Sequence, residues 1–215
     1  MTAGASSLDD CLLVGRYLSP FVRRVAVTMR HFGVPYRRRV LSTLIDLDEI
    51  ATYNPVARVP VVVLASGDTV VDSAAILDLL DERAGPDRAL MPPAGEARQH
   101  SLYALMVAVG AIERAMTANG EQRRSPDKQI PERLERLRHF ARQGFLDLER
   151  TLGGRDWFSE DRMMQPDITT AVGLTFVRRV HPGLIAEGEL PGLSRLTARC
   201  EDLPAFRAVW IDIET

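Results

Sequence analysis

Two regimes of apolar spacing divide the 215-residue chain. Over roughly the first 84 residues, short β-rich runs alternate with helical patterns, and beyond about residue 95 only helical spacing remains. Cys11 to Tyr17 (CLLVGRY) is an apolar run of strand length, interrupted by Gly15. Ser19-Pro20 then offers a polar cap and a proline where a first helical turn accepts one. Phe21, Val25, Thr28, Met29 and Phe32 recur at helical spacing, and Gly33 with Pro35 ends that helix. Tyr36 to Val40 reads as a second strand whose Arg37-Arg38-Arg39 run suits a solvated or edge position, with an anion site as the alternative.

Asp46 to Tyr53 is a short helix stopped by Asn54-Pro55. Val59 to Leu64 and Thr69 to Val71 flank Ser66-Gly67-Asp68, the signature of a hairpin. Asp72-Ser73 precedes a helix over Ala74 to Arg83, with Ile76, Leu77, Leu79 and Leu80 as its buried face. A right-handed crossover makes the first two strands parallel, and the hairpin completes a four-stranded sheet. The Gly- and Pro-dense stretch around residues 85–95 reads as a linker. Helices are expected over Glu96–Asn119, Pro131–Leu152, Asp167–Val180, Leu193–Glu201 and Pro204–Ile211. The expected architecture is α/β plus all-α: a mixed domain over 1–84, a linker over 85–95 and a helical domain over 96–215.

Composition narrows the function classes. A 46% hydrophobic content supports an ordinary core and excludes wholesale disorder. A net charge of −2 leaves no global basic field, so no nucleic-acid partner is expected. The Arg-rich stretch Arg133 to Arg142 interleaves Glu135 with Arg136 and Arg138, as a solvated helix face does. Cys11 and Cys200 are too few for a disulfide framework. His31, His100, His139 and His181 are scattered without metal-ligand spacing, so no metal is expected. Met1 to Asp10 lacks the basic start and apolar run of a signal peptide, and no stretch reads as long and apolar enough to span a bilayer. The expectation is a soluble cytoplasmic protein with no membrane partner.

Three positions fall where backbone groups would be left unpaired. Ser19 sits at a strand-to-helix junction, where free N–H groups and the helix dipole favour an anion. An ordinary N-cap is the plainer alternative. Arg58-Val59-Pro60 starts an apolar strand; a cis Val59-Pro60 bond would turn the Val59 main chain outward to pair with an extended peptide. A trans proline starting a strand is the alternative there. Ser73 could cap its helix or take a ligand carboxylate, and Asp72 could take an ammonium group. In combination they describe a sheet-edge site suited to a small extended peptide with an anion in its middle.

These residues carry a resemblance. Leu18-Ser19-Pro20-Phe21-Val22-Arg23-Arg24-Val25, Asn54-Pro55-Val56-Ala57-Arg58-Val59-Pro60 and Val71-Asp72-Ser73-Ala74-Ala75-Ile76 resemble, in order and separation, the motifs of the cytosolic glutathione S-transferase family. The resemblance implies a thioredoxin-like N-terminal domain followed by a C-terminal helical bundle, commonly paired as a homodimer. It implies glutathione as co-substrate, held by the Val59 main chain, Asp72 and Ser73, with Pro60 cis. Ser19 then takes the thiol-activating position, and the reaction implied is conjugation of glutathione to a small hydrophobic electrophile. Isomerisation, dehalogenation and peroxide reduction use the same thiolate, and a non-catalytic binding protein of this fold is the alternative from another class. Phe21, Tyr103, Met106 and Met116 are candidate walls for the second substrate, with core packing as the plainer role of the last three. Tyr17 is a second candidate activator, less suited than Ser19 because it reads as the strand's end. Met164 replaces the usual Ser or Thr of the family's capping segment before Asp167, so one reciprocal cap should be lost.

Overall fold

The computed structural model describes residue 8 and residues 10–159 and 162–211. The stretch Met1 to Asp10, where no signal peptide is expected, therefore lies outside the described residues except for Leu8 and Asp10. The described residues form two compact units, one running to Ala89 and resuming at Leu203, the other spanning Leu90–Asp202. The dividing point falls inside the expected linker. The return of the C-terminal segment to the first unit differs from the expected 96–215 domain.

The first unit begins with β1 (Cys11–Val14), α1 (Pro20–Phe32), β2 (Tyr36–Arg39), α2 (Leu47–Tyr53), β3 (Val61–Val63), β4 (Thr69–Val70) and α3 (Ser73–Ala84). The sheet order is β2-β1-β3-β4. β1 runs parallel to β2, with Cys11 opposite Tyr36, while β3 pairs antiparallel with β1 and with β4. That is the crossover-plus-hairpin arrangement the apolar pattern predicts. β2 is an edge, which accommodates its arginine run: Arg37 bonds Asp10, Arg39 bonds Glu49, and Arg38 lies over the Tyr17 ring at 3.6 Å. The alternative of an anion site there is not needed to explain the run.

Every residue of α1 from Pro20 to Met29 is buried, so this helix has no solvated face over most of its length. Gly33, at φ 71°, closes it in the left-handed conformation that glycine adopts without penalty. β1 stops at Val14, three residues short of its expected end, because Gly15 leaves the ladder at φ +127°. A side chain at Gly15 would stand 2.6 Å from Val22 Cγ2 and 3.1 Å from Val59 Cβ. Glycine here lets the β1–α1 turn pack directly on the segment that precedes β3.

The second unit contains α4 (Gly95–Gln122), a 3-10 turn at Pro126–Lys128, α5 (Pro131–Leu152), α6 (Gln165–Val180) and α7 (Pro191–Asp202). Alanines 104, 108, 111, 115 and 118 line the buried face of α4 and permit close helix approach. The approach is tight enough that a Cβ at Gly144 would lie 2.7 Å from Ala111 Cβ, and one at Gly173 would lie 2.7 Å from Ile112 Cδ1. α4 also corrects the expectation that no stretch is long and apolar enough to span a bilayer: its 28 residues meet that test by length and composition. In this unit it is the helix against which α5 and α6 pack.

A buried carboxylate holds the start of α6 and a half-buried one the start of α7. Asp167 accepts the Phe158 N–H through Oδ1 at 2.9 Å and the Met164 N–H through Oδ2 at 2.8 Å. Met164 contributes no side-chain cap, so the reciprocal bond is lost as the sequence implies. Glu149 of α5 caps α7, accepting from the Gly192 and Leu193 N–H groups at 2.7 and 2.8 Å. The chain then forms α8 (Pro204–Arg207), which packs on α1 in the first unit. Helix was expected as far as Ile211. The segment instead leaves the α conformation after Arg207 and lays Val209 and Trp210 against Arg23.

Candidate functional site

Ser19 forms the start of α1. Its backbone is extended, with φ −69° and ψ 118°, and its Oγ accepts the Val22 N–H at 3.4 Å. The next residue, Pro20, has no N–H to satisfy, which suits the first helical position. A serine hydroxyl that accepts here keeps its own proton to donate. Ser19 is half-buried. It therefore combines a donor with the positive end of a 13-residue helix, where negative charge is favoured.

Val59 lies beside this turn through the Gly15 contact. The Val59-Pro60 peptide is cis. Among the described residues none hydrogen-bonds the Val59 main chain, which leaves its N–H and C=O for an extended ligand. The approach to Val59 is shaped by Asn54, which is buried at 2% exposure. Its Nδ2 donates to the Arg58 carbonyl at 3.0 Å and its Oδ1 accepts the Val56 N–H at 3.2 Å. Both ends of the amide thus staple the 54–58 loop, in which Ala57 takes a positive φ of 49°. The sequence marks Asn54-Pro55 as a helix stop and as the start of the second motif, without assigning the amide a role. An amide next to a loop that must present a bare main chain is the signal that could have singled it out.

At α3 the helix cap falls on Asp72 rather than on Ser73. Asp72 is the N-cap, its Oδ1 accepting the Ala74 N–H at 2.9 Å, and it is exposed, with Oδ2 left for a ligand cation. Ser73 is the first helical residue rather than the cap and is 4% exposed. Its Oγ accepts from Arg24 Nη2 at 2.6 Å, a bond that ties α3 to α1. The Gly15–Val59 contact and the Arg24–Ser73 bond therefore join all three sequence motifs in the first unit.

Phe21 is 8% exposed, and the Arg24 guanidinium lies 5.2 Å from its ring centre. Its place is packing beneath Arg24 rather than forming an open wall. On α4, Tyr103 and Met106 are exposed at 54% and 58%, so they are not core, and the Tyr103 hydroxyl bonds Asp147. Met116 is half-buried. Tyr17 points elsewhere: its hydroxyl lies 2.9 Å from that of Tyr36. Burial, reinforced by that bond, pushes the Tyr17 phenol well above its ordinary range. Cys11 is buried with its thiol toward the Pro35 carbonyl. No group of three or more His, Cys, Asp or Glu among the described residues could hold a metal.

Comparison with known proteins follows the same residues. Residues 18–83, which carry Ser19, Val59-Pro60 and Asp72-Ser73, match the family described as Glutathione S-transferase, N-terminal domain. An uncharacterized GST-like protein of Escherichia coli K12, YibF, is 28% identical over 182 residues, covering 80% of this chain and 85% of its own. A glutathione S-transferase from Methylobacterium radiotolerans, solved in complex with glutathione sulfonate, superposes with a TM-score of 0.87 at 25% identity. That match covers 93% of this chain and 94% of the other. A second, from Methylobacillus flagellatus with glutathione bound, has a TM-score of 0.86 at 23% identity and covers 93% and 98%. A four-stranded thioredoxin-like sheet with the three motifs on it, followed by a helical unit, is similar in fold to these glutathione S-transferases, and residues 18–83 of that sheet-bearing unit match the family's N-terminal domain.

Proposed function

We propose that the protein is a glutathione transferase that joins reduced glutathione to small hydrophobic electrophiles, with Ser19 stabilising the thiolate. The observation that carries this reading is the hydroxyl donor at the N-terminus of α1, beside a Val59 main chain that is unpaired among the described residues. In this reading the cysteinyl backbone of glutathione pairs with the Val59 N–H and C=O next to the cis Pro60. The γ-glutamyl ammonium meets Asp72, and the γ-glutamyl carboxylate meets the N-terminal end of α3 at Ser73. The glutathione-bound relatives support the choice of ligand.

The chemistry asked of Ser19 is modest. Lowering a thiol pKa by two units from about 8.5 requires roughly 2.7 kcal/mol of preference for the thiolate. One charge-assisted hydrogen bond and a helix N-terminus supply that order of magnitude. The thiol proton goes to solvent, and the sulfur lone pair forms a C–S bond at the electrophilic carbon. Either a leaving group departs with its electron pair, or an unsaturated acceptor takes up a proton. Isomerisation, dehalogenation and peroxide reduction branch from the same thiolate, so a substrate panel following conjugate, halide and peroxide separately identifies the branch.

The protein works as a homodimer in the cytoplasm. Leu44, Ile45 and Val56, at 58%, 83% and 68% exposure, are apolar side chains that a second copy would cover. Both cysteines are buried and neither is in a disulfide, as in a protein that does not depend on such bonds. Sedimentation showing only monomer would reject the dimer. Calorimetric titration with reduced glutathione tests the binding site: saturable heat, weakened by Asp72→Ala, is expected. No heat at millimolar ligand would overturn the assignment, and binding without turnover of any electrophile would leave a binding protein in its place.

A further inference from the structure

The strongest unassigned feature is a cation at the heart of the glutathione-binding unit. Arg24 projects from α1 and is 3% exposed, yet its Nη2 lies 2.6 Å from Ser73 Oγ on α3. A guanidinium carries only donors, so Ser73 Oγ is the acceptor in this pair. Charge-assisted bonds at this distance and burial are short, strong and held in one geometry. One lone pair of Ser73 Oγ is thereby committed, and its single proton is turned away from Arg24. The guanidinium also lies over the Phe21 ring, 5.2 Å from its centre, so it is held against both Ser73 and an aromatic face.

We propose that Arg24 is a positioning residue that acts through Ser73, biasing the Ser73 hydroxyl toward donation and so setting the site's selectivity for a ligand carboxylate. The inference rests on the glutathione reading and deepens it. A free serine hydroxyl rotates to donate or to accept, and it greets a carboxylate and a neutral group with similar ease. A hydroxyl already accepting from a guanidinium is biased to donate outward, and the cation behind it polarises that donor. Alongside it stand the N–H groups at the positive end of a 12-residue helix, capped on its other side by Asp72. The γ-glutamyl α-carboxylate is the anion this arrangement would select. Asp72, the acidic group next to Ser73, has its Oδ1 engaged with the Ala74 N–H and so does not compete for the Ser73 proton through that atom.

The test compares affinity for reduced glutathione with affinity for its decarboxylated analogue, in which a γ-aminobutyryl group replaces γ-glutamyl. Both are titrated calorimetrically into wild type, Arg24→Met, Arg24→Lys, Ser73→Ala and the Arg24→Met/Ser73→Ala double variant. Wild type should prefer glutathione. Arg24→Met should cut that preference by about tenfold, the equivalent of one charge-assisted bond, while analogue affinity stays within about twofold. Arg24→Lys, which keeps the charge, should restore part of the preference. The double variant should lose no more than Ser73→Ala alone. A purely structural Arg24 would weaken both ligands equally, and that result, or additive losses in the double variant, would overturn the proposal. If Arg24→Met fails to fold by circular dichroism, Arg24→Lys and Ser73→Ala decide: an unchanged ratio in Ser73→Ala overturns it. Absence of glutathione binding to wild type would instead defeat the underlying functional reading, a different and separable outcome.

Discussion

The hydroxyls of Tyr17 and Tyr36 stand 2.9 Å apart, with the Arg38 guanidinium stacked on the Tyr17 ring. Tyr17 is only two residues from Ser19 in sequence, yet it is 2% exposed and its polar end is spent on β2. Two residues compete for the thiol-activating role on sequence grounds, and their positions separate them: one hydroxyl caps a helix and keeps a donor, the other pairs within the core.

Tyr17→Phe should accordingly leave the pKa of bound glutathione and the conjugation rate within about twofold of wild type. Its cost should appear in stability, about 1 kcal/mol for the lost Tyr36 partner, measured as a fall in denaturant midpoint. A rise of a unit or more in the bound thiol pKa would return Tyr17 to the mechanism.

Asn54 governs the presentation of Val59 without touching the ligand in the proposed pose. Removing its amide in Asn54→Ala should release the 54–58 loop and weaken glutathione binding about tenfold, since two loop bonds vanish together. Hydrogen exchange should show faster exchange at Val56 in this variant while the amides of β1 remain protected. Unchanged affinity would mean that the cis Val59-Pro60 segment holds itself.

Arg23 is 1% exposed and fastens the C-terminal segment to α1. Its Nε donates to the Val209 carbonyl at 3.1 Å, and its guanidinium lies 5.7 Å from the Phe206 ring centre and 5.3 Å from that of Trp210. Arg23→Met keeps the aliphatic stem but strands the carbonyl and loses both ring contacts, so about 2–4 kcal/mol of stability should go. Tryptophan emission should report Trp210 moving into water. A stability change below about 0.5 kcal/mol would show that the segment is held by apolar packing alone.

Asp167 makes stability depend on pH in an unusual direction. Burial raises its carboxyl from 3.8 to about 7, against the opposing effect of the N–H groups of Phe158 and Met164 and its own. The folded protein then binds this proton more tightly than the unfolded chain does. The contribution is fully present below about pH 4 and is lost as pH rises toward 7. Asp167→Asn removes the titration, so the stability of wild type relative to the variant should decline over that interval. A constant difference from pH 4 to 7 would show that the backbone donors outweigh burial.

Much of the fold was legible because spacing and punctuation agree. Ser19-Pro20 and Gly33 bracket α1 as an N-cap with proline and a left-handed C-terminal glycine do, and Pro131 and Leu152 bound α5 as expected. Short strands were overextended, since Gly15 and Pro60 interrupt apolar runs by backbone geometry that hydrophobicity does not encode. The cap expected at Ser73 falls one residue earlier on Asp72, because either side chain can cap and Ser73 is engaged by Arg24 instead. Arg24 itself was hidden. A cation on the Phe21–Thr28 face of a helix looks like an exposed charge until α3 closes over it. The return of Leu203–Ile211 to the first unit was equally invisible, because a cation–ring contact between Arg23 and Trp210 spans nearly the whole sequence.

The most direct test of the central claim is ultraviolet titration of the thiolate of bound glutathione in wild type and in Ser19→Ala. A donor at the α1 N-terminus predicts a bound thiol pKa of roughly 6–7 in wild type, raised by about one to two units in Ser19→Ala, with glutathione affinity changed much less. An identical thiol pKa in the two proteins, with glutathione bound to both, would contradict the account.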